Sequence, residues 1–138
     1  MRGRLLLALP LLAAVTGEAF GQAAPACSGA QKPAAVAELL FGRKIGGRVA
    51  VTEARWSQFV DREMTPRFPA GLSIIDVKGQ WRDTKRGTIV REPSKIVVIV
   101  LPGEASDHER LDQIMEAYKS RFRQQSVGLI IRPACVLF

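Results

Sequence analysis

The run Ile96-Val97-Val98-Ile99-Val100-Leu101 is apolar on both of its alternating faces. A strand with one wet face alternates apolar and polar residues, so a run without a polar position belongs inside a sheet that is covered on both sides. That demand confines the chain to a layered arrangement, with helices over one sheet face and something else over the other. The remainder of the 138 residues, 47% hydrophobic and 24% charged overall, has the make-up of one globular domain. It excludes a disordered, fibrous or polytopic membrane chain.

The flanking segments supply the other layers. Val36–Lys44 mixes Val36, Leu39, Leu40 and Phe41 with Glu38 and runs out at Gly42, Gly46 and Gly47, which reads as a first strand. Thr52 can cap a helix with its hydroxyl, Glu53 complements the dipole, and Trp56, Phe59, Val60 and Met64 recur at helical spacing up to Pro66. Leu72–Val77, extended through Gln80-Trp81-Arg82, is a second strand, and Asp83–Gly87 a hairpin loop. Ile89–Leu101 returns as the third strand, with a bulge or broken pairing expected at Pro93. Ser106 and Glu109 stand three apart as in a capping box and open a helix carrying Leu111, Ile114, Met115, Tyr118 and Phe122 on one face. Val127–Ile131 starts a fourth strand that Pro133 interrupts before Cys135.

The order is β-α-β-β-α-β. With short, right-handed connections it predicts an α+β, ferredoxin-like sandwich: a four-stranded antiparallel sheet with two helices on one face. The last strand then lies beside the first. Because the third strand is apolar on both faces, the helix-free side needs a cover: a second subunit, the N-terminal tether or a ligand. A homodimer through this open sheet face is the favoured expectation.

Arg2 and Arg4 precede the apolar Leu5–Val15, and the small residues Ala19, Gly21, Ala23, Ala24 and Ala26 follow. This is the pattern of a secretory signal peptide, and the run is too short to span a bilayer. Residues 1–23 therefore read as a signal peptide, 24–34 as a tether and 35–138 as the domain, in an exported, periplasmic or secreted protein. A lipid anchor at Cys27 is the rival to a soluble form, but Ala24-Pro25-Ala26 matches the lipoprotein pattern poorly. In an oxidising compartment Cys27 and Cys135 are expected to pair rather than remain free thiols, joining the two ends that the strand order already brings together.

Several segments, in order, are distinctive: Leu40-Phe41-Gly42-Arg43, Thr65-Pro66-Arg67-Phe68-Pro69-Ala70-Gly71-Leu72, Gly79-Gln80-Trp81-Arg82, Arg91-Glu92-Pro93-Ser94-Lys95 and Pro133-Ala134-Cys135. Together they resemble a family of small exported bacterial proteins catalogued as a domain of unknown function, from about Glu38 to Phe138. The resemblance implies export and one compact domain, and no activity.

Chemistry is sparsely signalled. His108 is the sole histidine and falls in a helix first turn, where a solvated residue is the plain account. Two cysteines and one histidine are too few for a four-ligand structural zinc, and no phosphate-cradling glycine motif occurs, so neither metal nor cofactor is expected. What stands out is a basic and aromatic hairpin cluster: Trp81, Arg82, Arg91, Glu92, Ser94 and Lys95, with Arg43 and Arg67 as further members. Two guanidinium groups beside an indole can hold the carboxylate or phosphate of an anionic small molecule or envelope component. An exposed Arg91–Glu92–Lys95 ion-pair ladder, with Trp81 merely packed, explains the same residues more plainly. The net charge of +7 invites a nucleic-acid reading, but acids are interspersed along both helices and export removes the chain from DNA. A non-enzymatic binding module of the envelope is the favoured function. The alternative is a cofactor-independent enzyme on a dimeric scaffold, using Glu38 or Glu92 as acid or base.

Overall fold

The computed structural model describes residues 26–83 and 86–138. The expected signal peptide lies outside them. Strand β1 (Lys32–Gly42) is followed by a small hairpin of β2 (Lys44–Ile45) and β3 (Arg48–Val49). Helix α1 (Glu53–Phe59) runs into a π-helical turn at Val60–Met64, and β4 (Ser73–Asp83), β5 (Thr88–Leu101), α2 (Asp107–Phe122) and β6 (Gly128–Val136) complete the chain. The main sheet is four-stranded and antiparallel, in the order β4-β5-β1-β6. Both helices pack on one face, which is the ferredoxin-like α+β arrangement.

Alternation along β1 and β5 sorts the layers. Ala37, Leu39 and Phe41 lie level with Ile99, Val97 and Lys95 and turn toward the helices. They meet Trp56 and Phe59 of α1, Met64 beyond it, and Leu111, Ile114, Tyr118 and Phe122 of α2 in one core. The rings meet edge to face, as for Phe41 and Tyr118 at 4.7 Å and 68°, the geometry that ring quadrupoles favour. Thr52 caps α1, its hydroxyl accepting from the Arg55 N–H at 3.3 Å. The helix stops where expected, with Pro66 unable to continue it.

Four local expectations are corrected. Pro93 makes no bulge: the β4–β5 register passes unbroken through Lys78↔Pro93. Pairing with β1 ends one residue away, at Gly42↔Ser94, so at Pro93 one side of the strand has no neighbour, the setting in which a residue without an N–H is tolerated. Pro133 does not interrupt β6, because β6 is an edge strand. Ser106 forms no side-chain cap. The buried Asp107 carboxylate instead fastens the preceding loop, accepting from the Gly103 and Glu104 N–H groups at 2.8 and 3.0 Å and from Arg110. Finally, part of the tether is strand: Lys32, Pro33 and Ala34 pair with Val136, Cys135 and Ala134. The Cys27–Cys135 disulfide is present, closing a separation of 108 residues and tying the chain's first described segment to the last strand.

Candidate functional site

The sheet tapers. β6 leaves β1 at Leu40↔Gly128, β1 leaves β5 at Gly42↔Ser94, and β4 and β5 continue alone to Asp83↔Thr88. The result is a two-stranded arm projecting from a four-stranded body. A cleft of about 450 Å³ lies where the arm departs. Gly79, Trp81, Val90 and Glu92 form its arm side. Its walls are the β2–β3 turn and the loop from Arg123 to Ser126.

Local chemistry builds these walls. Gly46 and Gly47, at φ +56° and +85°, supply the two left-handed residues that the tight β2–β3 hairpin needs. The Tyr118 hydroxyl donates to the Gly42 carbonyl at 2.8 Å, holding the end of β1 against α2. Burial, with the nearby Glu92 charge and despite Arg43, pushes the Tyr118 pKa well above its ordinary value, so the phenol stays a donor. Gln124 Nε2 donates to the Lys44 carbonyl at 2.9 Å and joins the α2–β6 loop to the small hairpin.

Glu92 is the centre. One carboxylate oxygen accepts from the Trp81 indole N–H at 2.9 Å, the other from the Lys44 backbone N–H at 2.8 Å. The carboxylate rests on Gly42, where an added Cβ would stand 2.8 Å from Oε1. Lys44 Nζ donates to the Arg91 carbonyl at 2.6 Å, which closes the contact between the small hairpin and the arm. Trp81 remains 43% exposed, so its fixed ring still faces solvent.

The residues grouped by sequence are divided among three places. Trp81 and Glu92 share the cleft. Arg82 and Arg91 alternate to the opposite face of the arm: Arg82 reaches the Gly87 carbonyl at 3.4 Å, and Arg91 lines an adjoining groove with Lys78, Gln80 and Glu92. Arg43 and Lys95 are buried beneath α1. Arg43 Nε donates to the Val51 carbonyl at 2.7 Å and its guanidinium pairs with Glu53. Lys95 Nζ lies 2.9 Å from Glu53 and 2.5 Å from Asp76. The lysine serves the core, and no Arg91–Glu92–Lys95 ladder forms. Arg67 braces Glu63 and Gln113. Glu38 sits on the open face, paired with Arg132 and away from the cleft lining. His108 is exposed in the first turn of α2. Lys44, Gln124 and Arg123 were not singled out by the sequence. The Gly46-Gly47 turn just after the first strand was the available signal, since it returns that segment toward the arm.

Tapered sheet, paired helices and cleft define a ferredoxin-like α+β domain with one polar, aromatic-walled recess at the base of its hairpin arm. The chain belongs to the DUF3574 family, described as a protein of unknown function, which matches residues 36–138. No curated protein matches it in sequence. Among solved structures it is similar to a phage SAM lyase in complex with S-methyl-5′-thioadenosine, at 18% identity and TM-score 0.61, over 75% of this chain and 88% of that one. It is also similar to CutA from Synechococcus elongatus, at 17% identity and TM-score 0.46, over 73% and 80%. These likenesses concern the fold.

Proposed function

We propose that this protein is an exported, non-enzymatic binding module of the cell envelope. Its ligand is a small planar heterocycle carrying an N–H donor and an anionic substituent. The Trp81–Glu92 pair carries the reading. An indole whose N–H is already committed is fixed in place and offers its ring for stacking. Each Glu92 oxygen accepts one protein bond and keeps a further lone pair for a ligand donor. Arg86 and Arg123 line the same recess and take the anionic end, the role that sequence had given to Arg82 and Arg91. The leader pattern of Arg2, Arg4 and Leu5–Val15 supports export, as does a disulfide that an oxidising compartment preserves.

The test is calorimetric titration of the mature protein with adenosine 5′-monophosphate and S-methyl-5′-thioadenosine. The second probe is suggested by the ligand of the phage lyase, and it lacks the anionic group. Tighter binding of the monophosphate is expected, weakened at least tenfold by Trp81→Ala and by Glu92→Gln. Equal affinity in wild type and both variants refutes the site. Intact mass of the secreted chain, short by residues 1–23 and without an added lipid, checks the export reading.

A second reading is favoured by one observation. The half-buried Glu92 carboxylate stands in a cleft, as an acid or base catalyst would, whereas Glu38 does not. Mass analysis of the same incubations decides: consumption of a probe by wild type but not by Glu92→Gln makes the protein an enzyme.

A further inference from the structure

We infer that a second copy of this chain covers the helix-free sheet face in a face-to-face homodimer. The patch is Ile75, Val77, Ile96, Val98, Val100 and Ile130, contributed by β4, β5 and β6 in continuous register. Ile75 and Ile130 are 48% and 49% exposed in the single chain. β1 accompanies β5 over the whole of Ser94–Leu101, β4 only as far as Val98 and β6 only from Ile96. At ~4.8 Å between strands and ~3.3 Å per residue the footprint is about 430 Å². Monomers rarely leave more than ~300–600 Å² of contiguous apolar surface open. A stable dimer buries ~600–1,000 Å² of accessible surface per partner; a corrugated side-chain surface exceeds its flat projection, so the body approaches the lower end of that range.

Other covers are accounted for. The register places Cys135, level with Pro33, on the helix-bearing side, and its disulfide draws Cys27 there. The described tether is thereby spent along the edge of the sheet and does not cross the open face. The cleft and its ligand sit at the base of the arm and leave the body of the patch untouched.

Charge also favours self-association. A chain of net charge +7 repels its own copy unless the contact is neutral. On this face Glu38 and Arg132 pair with each other, and the remaining charge of β1, Lys32, stands beyond the end of β5 at the rim. Two such sheets stack ~10 Å apart and interdigitate their β-branched rows, as in a sandwich core. The central strand, apolar on both alternating faces, then has cover on both.

The experiment is sedimentation equilibrium of the mature, disulfide-bonded chain from 1 to 100 µM, for wild type, Ile75→Lys, Ile130→Lys and the double variant. A dimer is expected for wild type. Opposing lysines across an apolar contact should weaken it on the order of 100-fold. Both sites are half-exposed edge positions in the single chain, so unchanged far-UV circular dichroism is expected. If one variant misfolds, the other carries the test. A wild-type monomer at 100 µM overturns the inference, and so does any assembly, dimeric or larger, that survives both lysines. The substituted residues lie outside the cleft, so ligand binding and dimerisation fail independently.

Discussion

Lys95 offers the sharpest test of how the helices are fixed to the sheet. Its ammonium is 4% exposed and lies between Glu53 of α1 and Asp76 of β4, whose own side chains are 65% and 76% exposed. At 2.9 Å an ion pair is worth ~1.5 kcal/mol when screened as in water and ~6 kcal/mol at an effective dielectric of ~20. Desolvating the buried cation costs several kcal/mol, so the net contribution is close to zero. Lys95→Met keeps the aliphatic stem, frees Asp76 to water and leaves Glu53 paired with Arg43. Its stability should stay within about 1 kcal/mol of wild type. The double variant Glu53→Gln, Asp76→Asn leaves the same cation buried and unpaired. It also strips Arg43 of its ion-pair partner. A loss of ~3–5 kcal/mol is expected, a fall in Tm on the order of 15 °C or more. Burial pulls the Lys95 pKa down, but hydrogen bonds to Asp76 and Glu53 outweigh it and leave it above 10.5. Stability from this group is therefore complete below the ordinary lysine value and lost as pH rises through the folded one, an alkaline decline that Lys95→Met should erase. Urea denaturation at pH 7 and across the alkaline range reads both effects. Equal losses in the two variants, or a loss above ~3 kcal/mol in Lys95→Met, refute the reasoning.

Removing the disulfide with Cys27→Ser, Cys135→Ser should cost ~2–4 kcal/mol, with ~4.7 kcal/mol as the chain-entropy ceiling for a loop near 100 residues; unchanged urea midpoints count against a staple. Gly42→Ala places a methyl 2.8 Å from Glu92 Oε1 and should push the carboxylate off Trp81 and Lys44. Ligand affinity should fall at least tenfold while the far-UV spectrum is kept, and wild-type affinity would show that the cradle is irrelevant. At Asp107, burial raises the carboxyl pKa, but Arg110 and the Gly103 and Glu104 amides more than offset this and hold it below 3.8. Its contribution is present above that value and lost as pH falls through the lower folded one. Asp107→Asn should flatten the acid limb of the stability curve and cost ~1–3 kcal/mol at pH 7.

The fold was legible because its rules are local or nearly so. Thr52, Pro66 and the stripe of Leu111, Ile114, Tyr118 and Phe122 mark the helices, and the doubly apolar β5 demands a central place. Strand order followed from short connections, and the cysteine pair agreed with it. The site was only half legible, for a reason of parity. Trp81 and Glu92 were named together with Arg82 and Arg91, yet successive strand residues point to opposite faces, so the arginines belong to the far side of the arm. Lys95 looked like surface charge because its partners, Glu53 and Asp76, come from other elements. Proximity along the chain could not reveal them. The Ser106 cap failed for a local reason: the residue stands at φ −83° and ψ −2°, already helical rather than extended, so its hydroxyl makes no cap bond.

The cleft follows from unequal strand lengths. Beyond Ser94 the inner edge of β5 has lost β1, and a sheet edge facing a wall must find partners for its backbone groups. Lys44 supplies one, its ammonium donating to the Arg91 carbonyl, while its own backbone N–H donates to the Glu92 side chain. The Trp81 indole adds a second donor from β4. Two donors converging from different elements require two acceptor atoms on one side chain. A carboxylate has them, whereas an amide offers one oxygen and turns an NH2 toward a donor. The carboxylate at position 92 is thus called for first by the geometry of a tapering sheet.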